Sequence, residues 1–371
     1  MLLQISGGCT AARGFRAGGY GAYALLACGL PAVCSGVYGK NRITSAPEKW
    51  SSFITEQYET AQAVFLCGST AGTAVGDAGY ALAVQMAELA ASSLGLPPEK
   101  VLLAAAGKAG THFSMEEAED AAASLARVLS GEADGSAAAA LALSPFDDGT
   151  EIAVEFDLGD KKARLGGICR RGKPLALITT DAAISKEMLD RALRADAEET
   201  FFMAMPDGAR PGDCVLCLAS GMAGNKKITK EDAAYSAFCA ALRHVTSYLA
   251  KSAASLGRLL EITVQNAVDK SSAGTLARAA AASVPLRTAA GVDTADWASL
   301  LYAFGETDVP FDPNLLDISL RSTAGSVQLL RSGLALFPDD VEAVFDAPTV
   351  TFLADMKNGN ASATAWSDFI E

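Results

Sequence analysis

Histidine is almost missing from this chain: His112 and His244 are the only two in 371 residues. A histidine-based metal centre or a Ser-His-Asp triad has little to be built from. Each histidine is expected at the surface or its boundary. Positive charge is also short, with 30 Lys and Arg against 43 Asp and Glu and a net charge of −13. That sign repels phosphate backbones and anionic headgroups, which argues against nucleic acid and membranes as partners. The first eight residues have neither a basic start nor an apolar stretch, so no secretory signal is read, and the cytoplasm is the expected compartment. Repeats and low-complexity linkers are lacking too.

What the chain does have is apolar mass. Half of its residues are hydrophobic and a fifth are charged, enough for one large or two intimately packed domains with a sizeable core. The uncharged run 17–39 approaches the length that spans a bilayer. Its glycines and Pro31 would leave a lipid-exposed helix poorly packed and kinked, so buried strands and turns are expected there. The eight cysteines at 9, 28, 34, 67, 169, 214, 217 and 239 are scattered among apolar neighbours and read as buried free thiols. Cys214 and Cys217 have redox or zinc spacing. They lie in a strand-like run, where residues three apart face opposite ways. Gly19-Tyr20-Gly21-Ala22-Tyr23-Ala24 fits a dinucleotide-binding pattern formally, but no strand clearly precedes it and no long helical pattern follows.

Periodicity gives a mixed α/β pattern. Strands are expected at 100–106, 151–158, 163–169, 175–180, 199–205, 214–219 and 259–265. Helices are expected at 79–94, 185–195, 230–249 and 273–282, with a further one opened by a capping box at Ser114 and Glu117 and running to Leu129. Residues 341–345 and 349–354 with a turn at Asn358-Gly359 suggest an antiparallel region. The tight turn Leu158-Gly159-Asp160-Lys161, set beside helix-length crossovers, makes the sheets mixed rather than purely parallel.

The most informative stretch is Gly166-Gly167-Ile168-Cys169-Arg170-Arg171-Gly172-Lys173-Pro174-Leu175-Ala176-Leu177-Ile178-Thr179-Thr180-Asp181-Ala182. Its flanks resemble the ornithine acetyltransferase / glutamate N-acetyltransferase family of arginine biosynthesis. Residues 14–19 (Gly-Phe-Arg-Ala-Gly-Gly), 36–47 (Gly-Val-Tyr-Gly-Lys-Asn-Arg-Ile-Thr-Ser-Ala-Pro), 101–110 and Phe311-Asp312-Pro313 follow the same family's order. The resemblance implies a four-layer αββα sandwich of mixed sheets over about residues 1–250, with a C-terminal lobe over 251–371 packed on it. In the family, a Gly-Ile-Ala-Lys-Gly-Ser-Gly-Met turn runs through Met-Ala-Thr-Met into Leu-Ala-Phe-Ile-Thr-Thr-Asp-Ala. The Ala-Thr bond is self-cleaved, and the freed threonine uses its own α-amine as base to carry an acetyl group between ornithine and glutamate. Here only residues 171–174 separate Arg170 from Leu175, and none is a threonine. The nucleophile segment is missing, and no catalytic residue is expected.

The other parts that the resemblance implies are altered as well. The oxyanion loop Thr-Gly corresponds to Ala106-Gly107, which lacks the hydroxyl; losing one such donor costs about a hundred- to a thousandfold in rate. The substrate-positioning lysine corresponds to Arg170, which keeps a charge for a carboxylate with a different geometry. The glutamate that holds the amino acid falls on Ala254, with Glu261 continuing the match. The segment 205–213 keeps only scattered identities, the family's arginine is absent from 293–299, and the chain closes at 363–371, short of the family's C-terminal tail. The implied protein is a pseudoenzyme that binds a small carboxylate or amino acid at Arg170 and the 107–110 loop, or forms a homo-oligomer or a hetero-oligomer with an active paralogue, without cofactor or metal. Two alternatives stay open: an acyltransferase rebuilt around Cys169, Thr179 or Thr180, and a purely structural interaction protein.

Overall fold

The uncharged run whose length suits a bilayer is a pair of β-strands. A computed structural model describes residues 2–144, 149–288 and 297–370, and the chain divides into two units, Met1–Ala197 with Ala209–Ala253 and Glu198–Gly208 with Ala254–Glu371. The first unit runs β1 (Leu2–Ile5), β2 (Phe15–Tyr20), β3 (Tyr23–Tyr38), α1 (Ala46–Gln57), β4 (Thr60–Cys67), α2 (Gly76–Leu94), β5 (Val101–Ala105), α3 (Met115–Val128), α4 (Ala133–Leu143), β6 (Thr150–Leu158), β7 (Lys161–Cys169), β8 (Leu175–Thr180), α5 (Lys186–Glu199), β9 (Cys214–Ala219) and α6 (Ala233–Ala254). No helix of the described residues is long and apolar enough to cross a membrane.

One mixed sheet of order β1-β6-β7-β8-β9-β3-β4-β5, with β2 on β3, carries this unit. The long β3 pairs with β4 through its first half and with β9 through its second, and its register against β4 shifts between Ala27 and Ala32. At that shift the sheet turns back over itself. Alternate residues then meet in one interior: Leu26, Val64, Leu66 and Leu102 from one half face Ile168, Leu177, Leu216 and Leu218 from the other. Each such fully buried side chain contributes about 1.5–3 kcal/mol of transfer free energy. The intervening residues Leu25, Phe65 and Leu103 point the other way, onto Met86, Ala87 and Ala90 of α2 and Ala121 and Leu125 of α3. On the opposite outer face, Phe156 of β6 meets Phe238 of α6 with ring centroids 6.4 Å apart. The layers are helix, sheet, sheet, helix, the expected αββα sandwich.

Local chemistry explains the element ends. Ser45 and Glu48 form a reciprocal capping box that starts α1, with Pro47 in its first turn. Ser114 accepts the Glu117 amide at the start of α3. The hairpin from β6 to β7 turns through Gly159 at φ 69°, and β2 to β3 turns through Gly21 at φ 56°, conformations that a Cβ disfavours. That second hairpin is the stretch with dinucleotide-binding spacing; a strand-to-strand turn leaves no helix to receive a pyrophosphate. All of the cysteines are free, and all but the half-buried Cys239 are buried. Cys214 faces the inner core, so Cys217, three residues on in β9, faces outward from it.

The second unit contains β10 (Leu259–Ala267), α7 (Lys270–Ala282), α8 (Val284–Thr288), α9 (Ala298–Gly305), β11 (Asp317–Ser322), β12 (Gly325–Arg331), β13 (Leu334–Ala335), α10 (Val341–Phe345), β14 (Thr349–Asp355) and β15 (Ala361–Asp368). Its sheet order is β13-β12-β11-β14-β10-β15, with β10 parallel to β14 and antiparallel to β15. Three expectations are corrected here. The expected strand 199–205 is a 3-10 helix at Phe201–Ala204. The expected strand 341–345 is the short helix α10, which follows Asp340 and buries Val344 and Phe345. The turn at Asn358-Gly359 does not close a hairpin, because β10 lies between β14 and β15. Arg258 stacks on Phe369 at 4.5 Å and Phe345 at 5.7 Å from the ring centroids, holding the end of the chain by cation–π contact.

Glycines of the uncharged run are contact points. A Cβ on Gly19 would lie 2.0 Å from the Ala138 carbonyl oxygen and 2.7 Å from its carbon, so α4 rests on bare β2 backbone. Gly19→Ala is expected to destabilise the chain by about 1–3 kcal/mol, read as a lower urea midpoint with an unchanged slope.

Candidate functional site

Strands β7 and β8 pair without interruption to Cys169 and Ala176. The Arg170 amide then donates to the Leu175 carbonyl at 3.0 Å, so residues 171–174 form a closed turn. Gly172 supplies a left-handed step at φ 68°, and its amide donates to the Ser252 carbonyl at 3.4 Å. The turn holds Arg171, Gly172, Lys173 and Pro174, none of them a threonine.

Lys173 turns inward. Its ammonium donates to the Pro211 carbonyl at 2.8 Å and lies 3.9 Å from Asp213 Oδ1, with the lysine side chain 13% exposed and the aspartate 0%. The latter distance makes an ion pair but is too long for a hydrogen bond, and Oδ1 has no hydrogen-bond partner. Asp213 Oδ2 accepts the Arg210 amide at 2.6 Å. Glu48 lies against the same group, its Oε2 accepting from the amides of Ser45 at 3.1 Å and Gly212 at 2.8 Å. Burial pushes the Asp213 carboxyl up to about 6, partly opposed by Lys173 and Arg210. Burial also lowers Lys173 against the pull of Asp213. Both shifts run toward the neutral forms, so desolvation outweighs attraction within the pair.

Arg170 and the 107–110 loop each touch the segment that follows β4, Arg170 at Gly68 and the loop at Ser69. Arg170 Nη1 donates to the carbonyls of Gly68 at 2.6 Å and of Leu143, the last residue of α4, at 2.7 Å. Gly107 is exposed, at φ 132°, and a Cβ on it would lie 2.1 Å from the Ser69 carbonyl oxygen. Ala106 is fully buried, its amide donating to the Cys67 carbonyl. Part of the Arg170 guanidinium is thus committed to main-chain oxygens.

The three side chains expected near the turn are separated by the structure and all are spoken for: Cys169 adjoins the turn, whereas Thr179 and Thr180 lie at the far end of β8, paired with Gly166 and Leu165. Thr179 donates to the Cys9 carbonyl at 2.8 Å and Thr180 to the Arg164 carbonyl at 2.9 Å, both fully buried. Cys169 contacts the Leu249 carbonyl at 3.4 Å, and burial raises its thiol far above the ordinary range. Ala254 is the last residue of α6 and falls in the second unit. Glu261, on β10 of that unit, accepts from Trp366 Nε1 at 2.7 Å. Of 293–299, residues 293–296 lie outside the described residues, as does Glu371. His112 and His244 are exposed.

The family model described as the ArgJ family matches residues 9–370. The chain belongs to the ArgJ family. An ArgJ arginine biosynthesis bifunctional protein of Symbiobacterium thermophilum is 33% identical over 389 residues, covering 98% of this chain and 95% of its own. The ArgJ of Shouchella clausii is 30% identical, covering 98% and 93%. The first alignment is longer than this chain, so that ArgJ protein carries segments that this one lacks. Among solved structures, an ArgJ of Bacillus halodurans is similar over 46% of this chain and 93% of its own, with 20% identity and a TM-score of 0.44. Ornithine acetyltransferase of Mycobacterium tuberculosis, complexed with ornithine, covers 47% and 97%, with 22% identity and a TM-score of 0.41.

Lys173, Asp213 and Glu48 escaped the sequence reading. The available signal was the capping pair Ser45 and Glu48. Their titration is testable. Because the folded carboxyl of Asp213 rises from 3.8 to about 6, the folded chain binds its proton first, and stability from this group grows as pH falls through about 6 and levels off below the unfolded value. On going from pH 7 to pH 4, the native chain should gain on the order of 1–3 kcal/mol relative to Asp213→Asn, measured by paired urea titrations.

Proposed function

We propose that this chain is a non-catalytic member of the ArgJ family, a cytoplasmic protein that keeps the acetyltransferase scaffold without its self-cleaving threonine. One observation carries the reading: the β7–β8 turn closes between Arg170 and Leu175 through only four residues, none of them a threonine. Support comes from the oxyanion loop, whose Ala106 offers no hydroxyl, and from the committed side chains of Cys169, Thr179 and Thr180, which leave a rebuilt acyltransferase without an accessible nucleophile. Binding is the function that remains. The exposed 107–110 loop beside Arg170 suits a small carboxylate or amino acid, and the retained scaffold suits association with another copy or an active paralogue.

The test is turnover. Purified protein given N-acetylornithine and glutamate should form no acetylglutamate above the uncatalysed background, nor should acetyl-CoA serve as donor. Sustained multiple turnover by the pure protein would overthrow this reading.

A further inference from the structure

The ammonium of Lys173 is held as a ligand is held. It reaches its partners from an irregular turn, through a side chain that is almost wholly covered, and it meets groups of the segment ahead of β9, the Pro211 carbonyl and Asp213, with the charge of Glu48 from the first turn of α1 felt nearby. We propose that the Pro211 carbonyl and Asp213, with the charge of Glu48 nearby, form a binding site for a primary alkylammonium, occupied in this chain by its own Lys173.

The acceptors outnumber the bonds that the lysine makes. An ammonium has three donors, and Lys173 makes one hydrogen bond, to Pro211. Asp213 Oδ1, fully buried and without a hydrogen bond, lies 3.9 Å from the same nitrogen. Glu48 is held in place by two backbone amides, and burial raises its carboxyl against the pull of those amides and of Lys173. The charges facing Asp213 are Lys173 from the turn, Arg210 from its own loop and Glu48 from α1; Arg170 faces Lys173 as a further cation. One carboxylate thus pairs with the buried ammonium, and a second lies close enough to influence it.

The room is narrow. A Cβ on Gly212 would come within 3.4 Å of the lysine nitrogen and of Ser45 Oγ, and within 2.8 Å of the Ala105 carbonyl oxygen. A slim alkyl chain ending in an ammonium fits that description better than a planar guanidinium or a quaternary ammonium. In the native chain the site is closed to free amines, and an amine enters only by displacing Lys173. The inference rests on the non-catalytic reading in treating Lys173 as an occupant and not as a reacting amine.

Lys173→Ala removes the equivalent of one n-propylammonium ion. The purified variant should melt below the native chain, and n-propylammonium chloride should raise its melting temperature saturably, whereas n-propanol and tetramethylammonium chloride at equal concentration and ionic strength should not. The native chain and Lys173→Ala/Asp213→Asn should show no saturable rise. Equal shifts in all three proteins, or no shift in Lys173→Ala, would overturn the proposal. If Lys173→Ala does not fold, Lys173→Met serves: its deficit against the native chain should shrink as pH falls from 8 to 5, because an unpaired Asp213 can then be protonated, and a pH-independent deficit would count against the site. Acetyl exchange assayed on the same samples keeps the two readings apart, since turnover by the native chain would end the non-catalytic reading without altering the rescue.

Discussion

A lysine drawn under the surface beside a carboxylate that it does not quite reach sets the terms for the centre of the first unit. Taking both charges out of water is costly, and at 3.9 Å attraction recovers only part of that cost. Such a pair persists when its surroundings are fixed for other reasons. Here the turn that carries Lys173 is pinned by the Arg170 to Leu175 hydrogen bond, and the loop that carries Asp213 is pinned to Glu48 through the Gly212 amide. Removing one charge alone leaves the other buried without compensation, which is the more expensive condition.

The sandwich supplies that rigidity. Folding one sheet over itself at the register shift in β3 brings β4 and β5 onto β7, β8 and β9, so the turn between β7 and β8, the loop before β9 and the end of β5 fall at one end of a dry interior. Alanine and glycine permit the close layers: α2 and α3 present rows of alanines to the sheet, and Gly19 lets α4 touch strand backbone. The same geometry that would hold a reacting group in place holds an ion pair equally well.

Much of the fold was legible in the residues. Alternation marked β6, apolar runs marked β7 and β8, and Ser114 marked the start of α3, because these signals act over a few neighbouring residues. Legibility failed where tertiary context decides. Residues 341–345 have the β-branched, apolar look of a strand, yet become one helical turn that packs Phe345 against Phe352 and Phe369. Residues 199–205 look alike and form a 3-10 turn. At the site, a short turn without a threonine was visible in the sequence, whereas the inward turn of Lys173 was not, since its partners Pro211 and Asp213 lie far away in sequence and only packing unites them.

Intact-mass spectrometry of the freshly purified protein, with and without a large excess of N-acetylornithine, tests the central claim most directly, because self-cleavage and acetylation each leave a covalent mark. A single unbroken chain with no added acetyl mass is the predicted result. Two fragments divided within residues 171–175, or a stoichiometric acetyl adduct on Lys173, Cys169 or Thr180, would contradict the account of a closed and inert turn.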